Sequence, residues 1–203
     1  MRPGDVAPPG DGGDASRPGN LGNRGARGAR AAPGDVVQVT VTYLEMLEAP
    51  AEPAPLARPG VSVENVVAPT VEWYRRLYDA VGHDWYWADR TRMSDAALAE
   101  LLEDPRVEIN VLHVDGEEAG FAELDRSEPG EVRLMYFGLV PGYIGRGLGT
   151  WFLRWAVERA WSHAPRRVWV DTCTLDHPRA LGNYEAVGFR AFGSRVKEFV
   201  IPW

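Results

Sequence analysis

The amino-acid sequence predicts an α+β domain built on a mixed sheet. The first observation is a hairpin signal, because Asp115-Gly116 lies between two β-like runs. The second is a glycine-rich segment, residues 145–149, which follows an apolar run and precedes a run with helical spacing. The third is the element order, β, α, α, β, β, β, glycine loop, α, β, α, β. Hairpins give antiparallel neighbours, and a strand–helix–strand crossover gives a parallel pair.

The elements before the hairpin follow from local patterns. Residues 37–43 alternate and are β-branched, which predicts a strand, and the Pro- and Ala-rich stretch 49–59 predicts a loop. Residues 70–81 place apolar side chains on one helical face. Ser94 is a suitable N-cap for a second helix over 94–102.

The remaining elements alternate between strands and helices. The predicted strands cover 107–114, 119–124, the run after the turn at 128–130, 167–173 and, as one or two strands, 192–201. A helix follows the glycine-rich segment. Pro178 favours the first turn of a short helix that ends at Gly188.

Residues 1–35 differ in composition from the rest of the chain. They contain nine Gly, five Pro and no aromatic residue, so they bury too little apolar surface to offset the entropy lost on ordering. We therefore predict a disordered tail over 1–35 and one domain over 36–203. The tail lacks the apolar core of a secretory signal, and five Arg against four Asp give too little charge to anchor it on nucleic acid.

The overall composition argues against several classes of protein. The net charge of −7 is unlike that of a general nucleic-acid binder. Cys173 is the single cysteine, which excludes an internal disulfide and a cysteine-based metal cluster. No apolar run reaches the roughly 18 residues that span a membrane. We expect a cytoplasmic protein without a metal and without a nucleic-acid or membrane partner.

Gly145, Gly147 and Gly149 occur at a spacing of two between the predicted strand and helix. Glycine lets the backbone approach a ligand closely. A strand that turns into a helix directs several N–H groups, and the positive end of the helix dipole, to one point. The pattern is therefore typical of a phosphate site rather than of a merely glycine-rich loop.

Two other phosphate-binding folds fit this pattern less well. Asp171 lies 24 residues after Gly147, near the spacing of the ribose-binding acid in dinucleotide folds. However, Thr150 occupies the place of the third glycine, and too few residues follow for a doubly wound sheet. A Walker loop is excluded because no Gly-Lys-Ser/Thr is present.

Two segments resemble the GCN5-related N-acetyltransferases, the GNAT family. The family's acyl-CoA loop has the pattern Gln/Arg-x-x-Gly-x-Gly/Ala after a strand that ends in Val-x-Pro. Here Leu139-Val140-Pro141 precedes Gly147-Leu148-Gly149. The second segment, Asn-x-x-Ala-x-x-Leu-Tyr-Glu-x-x-Gly-Phe, aligns with residues 177–189. The residues that match in register are Ala180, Tyr184, Glu185, Gly188 and Phe189.

The resemblance covers about 36–203 and implies a fold. It implies a mixed, mostly antiparallel sheet with helices on both faces and a splay after the fourth strand. Three positions depart from the family pattern. Ile144 stands where Gln or Arg is usual, and we expect it to be tolerated because that position supplies mainly a backbone N–H. His177 replaces the Asn, which alters a contact to the pantetheine arm, and Asn183 replaces a common Leu.

The resemblance also implies acetyl-CoA as co-substrate. Backbone N–H groups of the glycine loop cradle its pyrophosphate, and the preceding strand pairs with the pantetheine amides. An N–H near Leu139 stabilises the oxyanion. The predicted cofactor-binding residues are Phe137, Gly138, Leu139, Gly145, Arg146, Gly147, Leu148, Gly149, Thr150 and His177. Three of these residues each allow two interpretations. Gly138 marks either a bulge or a close approach by ligand, and Arg146 either adds charge or lies along the surface. His177 either relays a proton or caps the next helix.

Tyr184 matches the family's general acid, which protonates the departing thiolate. Some relatives carry a glutamate base on the strand before the glycine loop, but Arg133 occupies that position here and cannot accept a proton. Glu123 is the predicted base. Glu131, Asp171 and a water chain are the alternatives.

An aromatic and acidic cluster, Trp73 with residues 83–87, indicates an acceptor pocket for a cation or an aromatic amine. Core packing is the commoner role of any single Trp. The leading function is an acetyl-CoA-dependent N-acetyltransferase that moves an acetyl group directly to a primary amine of a small molecule or peptide. The alternative is a non-catalytic CoA-binding sensor or interaction module. A homodimer is left open, since dimers are common in relatives.

Overall fold

The computed structural model describes residues 32–51 and 55–203, and within them seven strands form one sheet. The strands are β1 (Val36–Met46), β2 (Val61–Val66), β3 (Val107–Val114), β4 (Glu117–Asp125), β5 (Glu131–Leu139), β6 (Arg167–Cys173) and β7 (Arg190–Val200). The helices are α1 (Val71–Gly82), α2 (Asp89–Arg92), α3 (Asp95–Glu103), α4 (Leu148–Trp161) and α5 (Ala180–Ala186). The sheet order is β2-β3-β4-β5-β6-β1-β7, and β5 and β6 pair in parallel while the other neighbours are antiparallel. The predicted fold class is confirmed.

Helices cover both faces of the sheet, and each face has its own apolar core. On one face, α4 and α5 contribute Phe152 and Tyr184 to a cluster with residues of the central strands. On the other face, α1 contributes Tyr74 and Leu77, which pack with Phe121 of β4. Burying one large apolar side chain stabilises the fold by about 1.5–3 kcal/mol, so these two clusters hold the helices against the sheet.

The starts of α1 and α3 and the hairpin are confirmed as predicted, whereas Pro178 lies in the turn before α5 and not in its first turn. Thr70 and Ser94 each accept, at 3.2 Å, a hydrogen bond from a backbone N–H in the first turn of α1 and α3. Asp115 and Gly116 have φ values of +51° and +87°, as the two-residue turn between β3 and β4 requires. Local sequence patterns therefore determine these boundaries.

Strand β2 and the neighbours of β1 are not apparent from the sequence. β2 pairs antiparallel with β3, but the polar Glu64-Asn65 obscures its alternation. β1 lies between β6 and β7, so the first strand completes the C-terminal half of the sheet. Such pairing depends on tertiary contacts and leaves no local pattern.

β5 and β6 pair over three residues at their first ends and then diverge. The paired residues are Glu131 with Arg167, Val132 with Val168 and Arg133 with Trp169. The predicted splay is confirmed here, because β5 is the fourth strand when the unpredicted β2 is left out. A β-bulge at Met135, where the register between β4 and β5 shifts, precedes the open part of the sheet.

Gly138 does not form a bulge, because it pairs with Phe121 of β4. The group that approaches it closely is a side chain of the protein and not a ligand. A Cβ atom at this residue would lie 2.4 Å from Cγ1 of Val81. Glycine is therefore required because α1 packs closely on β5.

Most of the predicted tail, residues 1–31, lies outside the described residues. Residues 32–35 form a turn that is tied to the other end of the chain. The N–H of Gly34 donates to the carbonyl of Ile201 at 2.9 Å, and the N–H of Ile201 donates to the carbonyl of Asp35 at 2.9 Å. Within the described part of the chain, every helix is too short or too polar to cross a membrane.

Candidate active site

The divergence of β5 and β6 opens a cavity of about 720 Å³. One wall is formed by β5 and the loop that follows it. A second wall is formed by the end of β6 and by α5, and residues 85–89 line a third side. Because the two strands no longer pair here, backbone groups on their facing edges are available to a ligand.

The glycine loop joins β5 to α4 through a short 3₁₀ turn, Pro141–Tyr143. Gly145 and Gly147 have φ values of +83° and +73°, in the left-handed region that favours glycine. Gly147 is the N-cap of α4 and has no side-chain acceptor, so the first N–H groups of the helix are not capped by it. Gly145, Gly147, Gly149 and Thr150 all line the cavity. The loop thus directs backbone donors and a helix dipole to one point.

Two of the predicted loop residues direct their side chains elsewhere. The guanidinium of Arg146 lies 5.0 Å from the centroid of the Tyr143 ring. Leu148 is buried in the core beneath α4. Ile144, which departs from the family pattern, lines the cavity. Any contact from Arg146 or Leu148 to a ligand in this cavity would therefore be made by the backbone.

The end of β5 contributes three of the predicted residues to the cavity, Phe137, Gly138 and Leu139. The Phe137 ring packs on Phe152 of α4, with 5.3 Å between centroids. This contact fixes the strand against the helix that begins at the glycine loop. The two parts of the predicted donor site therefore form one packed unit.

Tyr184 lines the cavity from α5. Its ring packs edge-on against Phe189, with 5.9 Å between centroids. Burial raises the pKa of the hydroxyl well above its usual value of about 10, and the negative charges of Asp176 and Asp171 act in the same direction. The phenol is therefore protonated at neutral pH, which is the state that a proton donor needs.

His177 lies in the turn before α5 and lines the same cavity. Its Nδ1 accepts a hydrogen bond from the backbone N–H of Arg179 at 3.1 Å. Its ring packs edge-on against the Trp85 ring, with 5.1 Å between the centroids. The hydrogen bond closes the turn before α5, whose N-cap residue, Arg179, has no side-chain cap, so both predicted roles of His177 stay predictions.

Glu123, the predicted base, lies outside the cavity. Its carboxylate is fully buried and accepts hydrogen bonds from the hydroxyl of Tyr74 and the guanidinium of Arg90. The reason is strand parity: Glu123 has the parity of Phe121, which faces α1 rather than α4. The structure therefore does not bring Glu123 together with Tyr184.

The two alternative carboxylates each lie beside an arginine. Asp171 lines the cavity and accepts a hydrogen bond from Arg133 at 2.5 Å across the splay. Glu131 lies 3.5 Å from Arg167. Arg133, at the glutamate position of some relatives, thus links β5 to β6 where their pairing ends. Among residues 32–51 and 55–203, no group of three His, Cys, Asp or Glu side chains is arranged to hold a metal ion.

Asp176 is a cavity residue that the sequence patterns did not reveal. Its Oδ2 accepts hydrogen bonds from the hydroxyl of Thr172 at 2.6 Å and from the N–H of Cys173 at 2.8 Å. Desolvation raises its pKa, and the charge of Asp171 adds to that effect. An Asp in a turn after a strand is common for reasons of turn geometry alone, so the sequence carried no distinct signal.

Residues 72–189, more than half of the chain, match the model of the Acetyltransferase (GNAT) family. The chain belongs to the GNAT family. The matched region contains the glycine loop, Asp176 and Tyr184, whereas β1, β2 and β7 lie outside it. GNAT proteins generally use acetyl-CoA, and the backbone donors of the loop suit its pyrophosphate.

Solved GNAT structures share this fold at low sequence identity. A GCN5-related N-acetyltransferase from Kribbella flavida has a TM-score of 0.56 at 17% identity, over 83% of this chain and 60% of that chain. A GCN5-related N-acetyltransferase from Sphaerobacter thermophilus has a TM-score of 0.53 at 19% identity, over 82% of this chain and 52% of that chain. A tandem GNAT protein from the clavulanic acid biosynthesis pathway has a TM-score of 0.54 at 20% identity, over 82% of this chain and 55% of that chain. This chain thus spans little more than half the length of these structures. A comparison with curated proteins gave no match.

The predicted aromatic cluster of this GNAT protein is divided between the cavity and other surfaces. Residues 85–87 line the cavity together with Asp89. Trp73 instead donates to Glu118 at 2.8 Å, and His83 stacks on the C-terminal tryptophan. Only part of the cluster is therefore placed to contact a ligand in the cavity.

A strap of residues 55–60, outside the GNAT match, lies against the start of α4. The indole N–H of Trp151 donates to the carbonyl of Leu56 at 2.8 Å, and Nη1 of Arg58 donates to the carbonyl of Gly147 at 3.1 Å. Arg58 therefore adds a positive charge beside the glycine loop. Sequence patterns did not reveal this contact because Arg58 and Gly147 are far apart in the chain.

Proposed function

We propose that this GNAT protein is an acetyl-CoA-dependent N-acetyltransferase that moves an acetyl group directly to a primary amine of a small molecule or peptide. The observation that carries the proposal is one cavity at the strand divergence, lined by both the glycine loop and Tyr184. A donor site and a proton donor in one cavity suit transfer in a single complex of enzyme, acetyl-CoA and amine.

The donor is assigned to the β5 wall. The backbone N–H groups of residues 145–150 suit the pyrophosphate, because two glycines with positive φ let consecutive amides converge. The unpaired edge of β5 at 137–139 suits the pantetheine amides, which would extend the strand by main-chain hydrogen bonds. His177 faces the same space from the other wall.

Direct transfer is favoured over a covalent acetyl-enzyme. Cys173 is the one thiol in the chain and lines the cavity. Desolvation raises the pKa of this thiol, which holds it in the protonated and weakly nucleophilic form. The amine is therefore the better nucleophile for the thioester.

The proposed chemistry uses Tyr184 as the general acid. The neutral amine nitrogen attacks the thioester carbonyl, a C–N bond forms, the C–S bond breaks, and the proton that the nitrogen loses restores Tyr184 after it has acted. A thiolate with an intrinsic pKa of about 8.5 leaves, and the proton of the Tyr184 hydroxyl neutralises it. Because burial keeps Tyr184 protonated, the acid is available across the neutral range. A backbone N–H near Leu139 is the proposed donor to the oxyanion.

The acceptor is assigned to the side lined by residues 85–87 and Asp89. Aromatic faces and a carboxylate suit an ammonium group, which an aromatic ring attracts by its quadrupole. The net charge of −7 favours the approach of cations. Small amines and exposed peptide amines both meet these conditions.

The proposal is tested by CoA binding and by thiol release in parallel. Calorimetric titration with CoA is expected to show binding. Acetyl-CoA is then mixed with a panel of tyramine, tryptamine, spermidine and a lysine peptide, and free thiol is followed. Amine-dependent release supports the proposal. Binding without release on any amine favours the non-catalytic CoA module, and absence of binding contradicts both functions.

A further inference from the structure

The cavity contains one carboxylate with surroundings that differ from those of its neighbours. Asp176 lies in the turn between β6 and α5, partly buried, and lines the cavity with Tyr184. Its charge is close enough to raise the pKa of the Tyr184 hydroxyl. A proton acceptor and the proposed proton donor therefore face the same space.

Two other carboxylates near the divergence are already neutralised by arginines, and Asp89 lies on the side assigned above to the acceptor. Glu123 is paired with Arg90 on the far face of the sheet, and Asp171 is paired with Arg133 at 2.5 Å. Among the described residues, Asp176 forms no ion pair. The hydrogen bonds from Thr172 and Cys173 both end on Oδ2, and the Trp87 side chain is a third donor to the carboxylate. A carboxylate has about four acceptor sites, so Asp176 is oriented by these donors and can still accept a substrate proton.

We propose that Asp176 is the general base that takes the proton from the ammonium group of the acceptor. The inference rests on the proposed N-acetyltransferase function. The N–H bond of the ammonium breaks and its proton goes to the Asp176 carboxylate. The freed lone pair forms the C–N bond to the acetyl carbonyl, the C–S bond breaks, and the sulfur takes the proton of Tyr184. The acylated nitrogen then loses its second proton to the Tyr184 oxygen, which restores the phenol, and Asp176 returns its proton to solvent.

The electrostatic surroundings suit this role. Desolvation raises the pKa of Asp176, the charge of Asp171 on β6 raises it further, and hydrogen bonds from Thr172, Cys173 and Trp87 oppose both effects. The other ionisable groups that line the cavity are Tyr184 and Arg179 at α5, His177 in its own turn, Asp89 at the start of α2, Lys197 on β7, and Tyr78, Tyr86 and Tyr136. A carboxylate with a raised pKa is a stronger base toward an alkylammonium than an ordinary one.

The test compares two kinds of amine with Asp176→Asn. The amide keeps an oxygen for the donors of Thr172 and Cys173 but cannot take a proton. With tyramine or tryptamine, which are mostly protonated at pH 7, we expect kcat/KM to fall about 100-fold. With hydroxylamine, which is mostly neutral at that pH, kcat/KM should stay within about threefold of the wild type. The alkylamine rate of the variant should rise with pH as free amine accumulates.

Asp171→Asn serves as the matched control. It removes a cavity carboxylate that is already paired with Arg133, and it should not distinguish the two kinds of amine. Thermal melting at pH 7 reports folding, and Asp176→Asn should melt at or above the wild-type temperature because it removes a desolvated charge. Equal losses with both amines, or the same selectivity in Asp171→Asn, would overturn the inference while the proposed function stands. If the wild-type protein acetylates no amine, both the inference and the proposed function are contradicted.

Discussion

The two walls of the cavity differ in the kind of group that they present. The β5 wall and its loop present backbone: glycines with positive φ, uncapped N–H groups and a strand edge. The wall of β6 and α5 presents side chains, above all Asp176, His177 and Tyr184. Under the proposed function the two walls have separate roles: one holds the donor and the other moves protons.

The difference also explains why one wall was easier to infer than the other. A site made of backbone groups requires glycine at set positions, so the spacing of Gly145 and Gly147 predicts it from the sequence. A side-chain site depends on which residues the fold brings together. Glu123 and Asp176 are both ordinary acids in the sequence, and only the fold shows that one faces α1 and the other faces the cavity.

The largest expected effect is on the side-chain wall. Tyr184→Phe removes the hydroxyl and keeps the ring contact with Phe189, so the core should stay intact. We expect kcat to fall about 100-fold, because the thiolate then leaves without a proton. The measurement is thiol release at saturating acetyl-CoA and amine. The affinity for CoA, measured by calorimetry, should match the wild type, and an unchanged kcat would remove Tyr184 as the acid.

The second effect concerns stability on the backbone wall. Gly138→Ala places a Cβ about where Val81 Cγ1 now lies, 2.4 Å away, so α1 must shift from β5. Overpacking of this kind costs about 1–3 kcal/mol of the free energy of unfolding. Urea denaturation measures the loss, and the double variant with Val81→Ala should recover much of it. Lack of recovery would mean that Gly138 is required by something other than α1.

The third effect separates loop geometry from glycine content. Gly147→Ala forces a Cβ onto a residue with φ of +73°, which costs about 1–2 kcal/mol and disturbs the amides that follow. We expect the Kd for CoA to rise about tenfold. Gly142→Ala is the control, because Gly142 has no positive φ and no neighbouring atom within 4 Å of an added Cβ. Equal affinities in the two variants would contradict a backbone cradle.

Much of the fold was predictable because its boundaries are local. Thr70 and Ser94 cap their helices, and Asp115-Gly116 closes its hairpin, through contacts within a few residues. The insertion of β1 between β6 and β7 was not predictable, since its partners lie more than a hundred residues away. Arg58 belongs to the same class, because only the folded strap brings it to Gly147.

The smallest expected effect comes from that strap. Arg58→Gln keeps a donor for the Gly147 carbonyl but removes a charge beside the proposed phosphate site. A charge at a helix end contributes about 0.3–1 kcal/mol, so the Kd for CoA should rise about threefold at low salt. The difference should shrink as salt is added. The guanidinium of Arg146 lies over the Tyr143 ring, so Arg146→Gln should raise the Kd for CoA less than Arg58→Gln does. A larger rise in Arg146→Gln would indicate that Arg146, and not Arg58, contacts the phosphate.

The most direct test of these separate roles of the two walls is one steady-state titration of acetyl-CoA at saturating amine, run on the wild type, Gly147→Ala and Tyr184→Phe. The structure predicts that Gly147→Ala raises the acetyl-CoA concentration needed for half-maximal rate while kcat stays near the wild-type value. It predicts that Tyr184→Phe lowers kcat about 100-fold with little change in that concentration. If both variants change the same parameter, the two walls do not have separate roles and the account is contradicted.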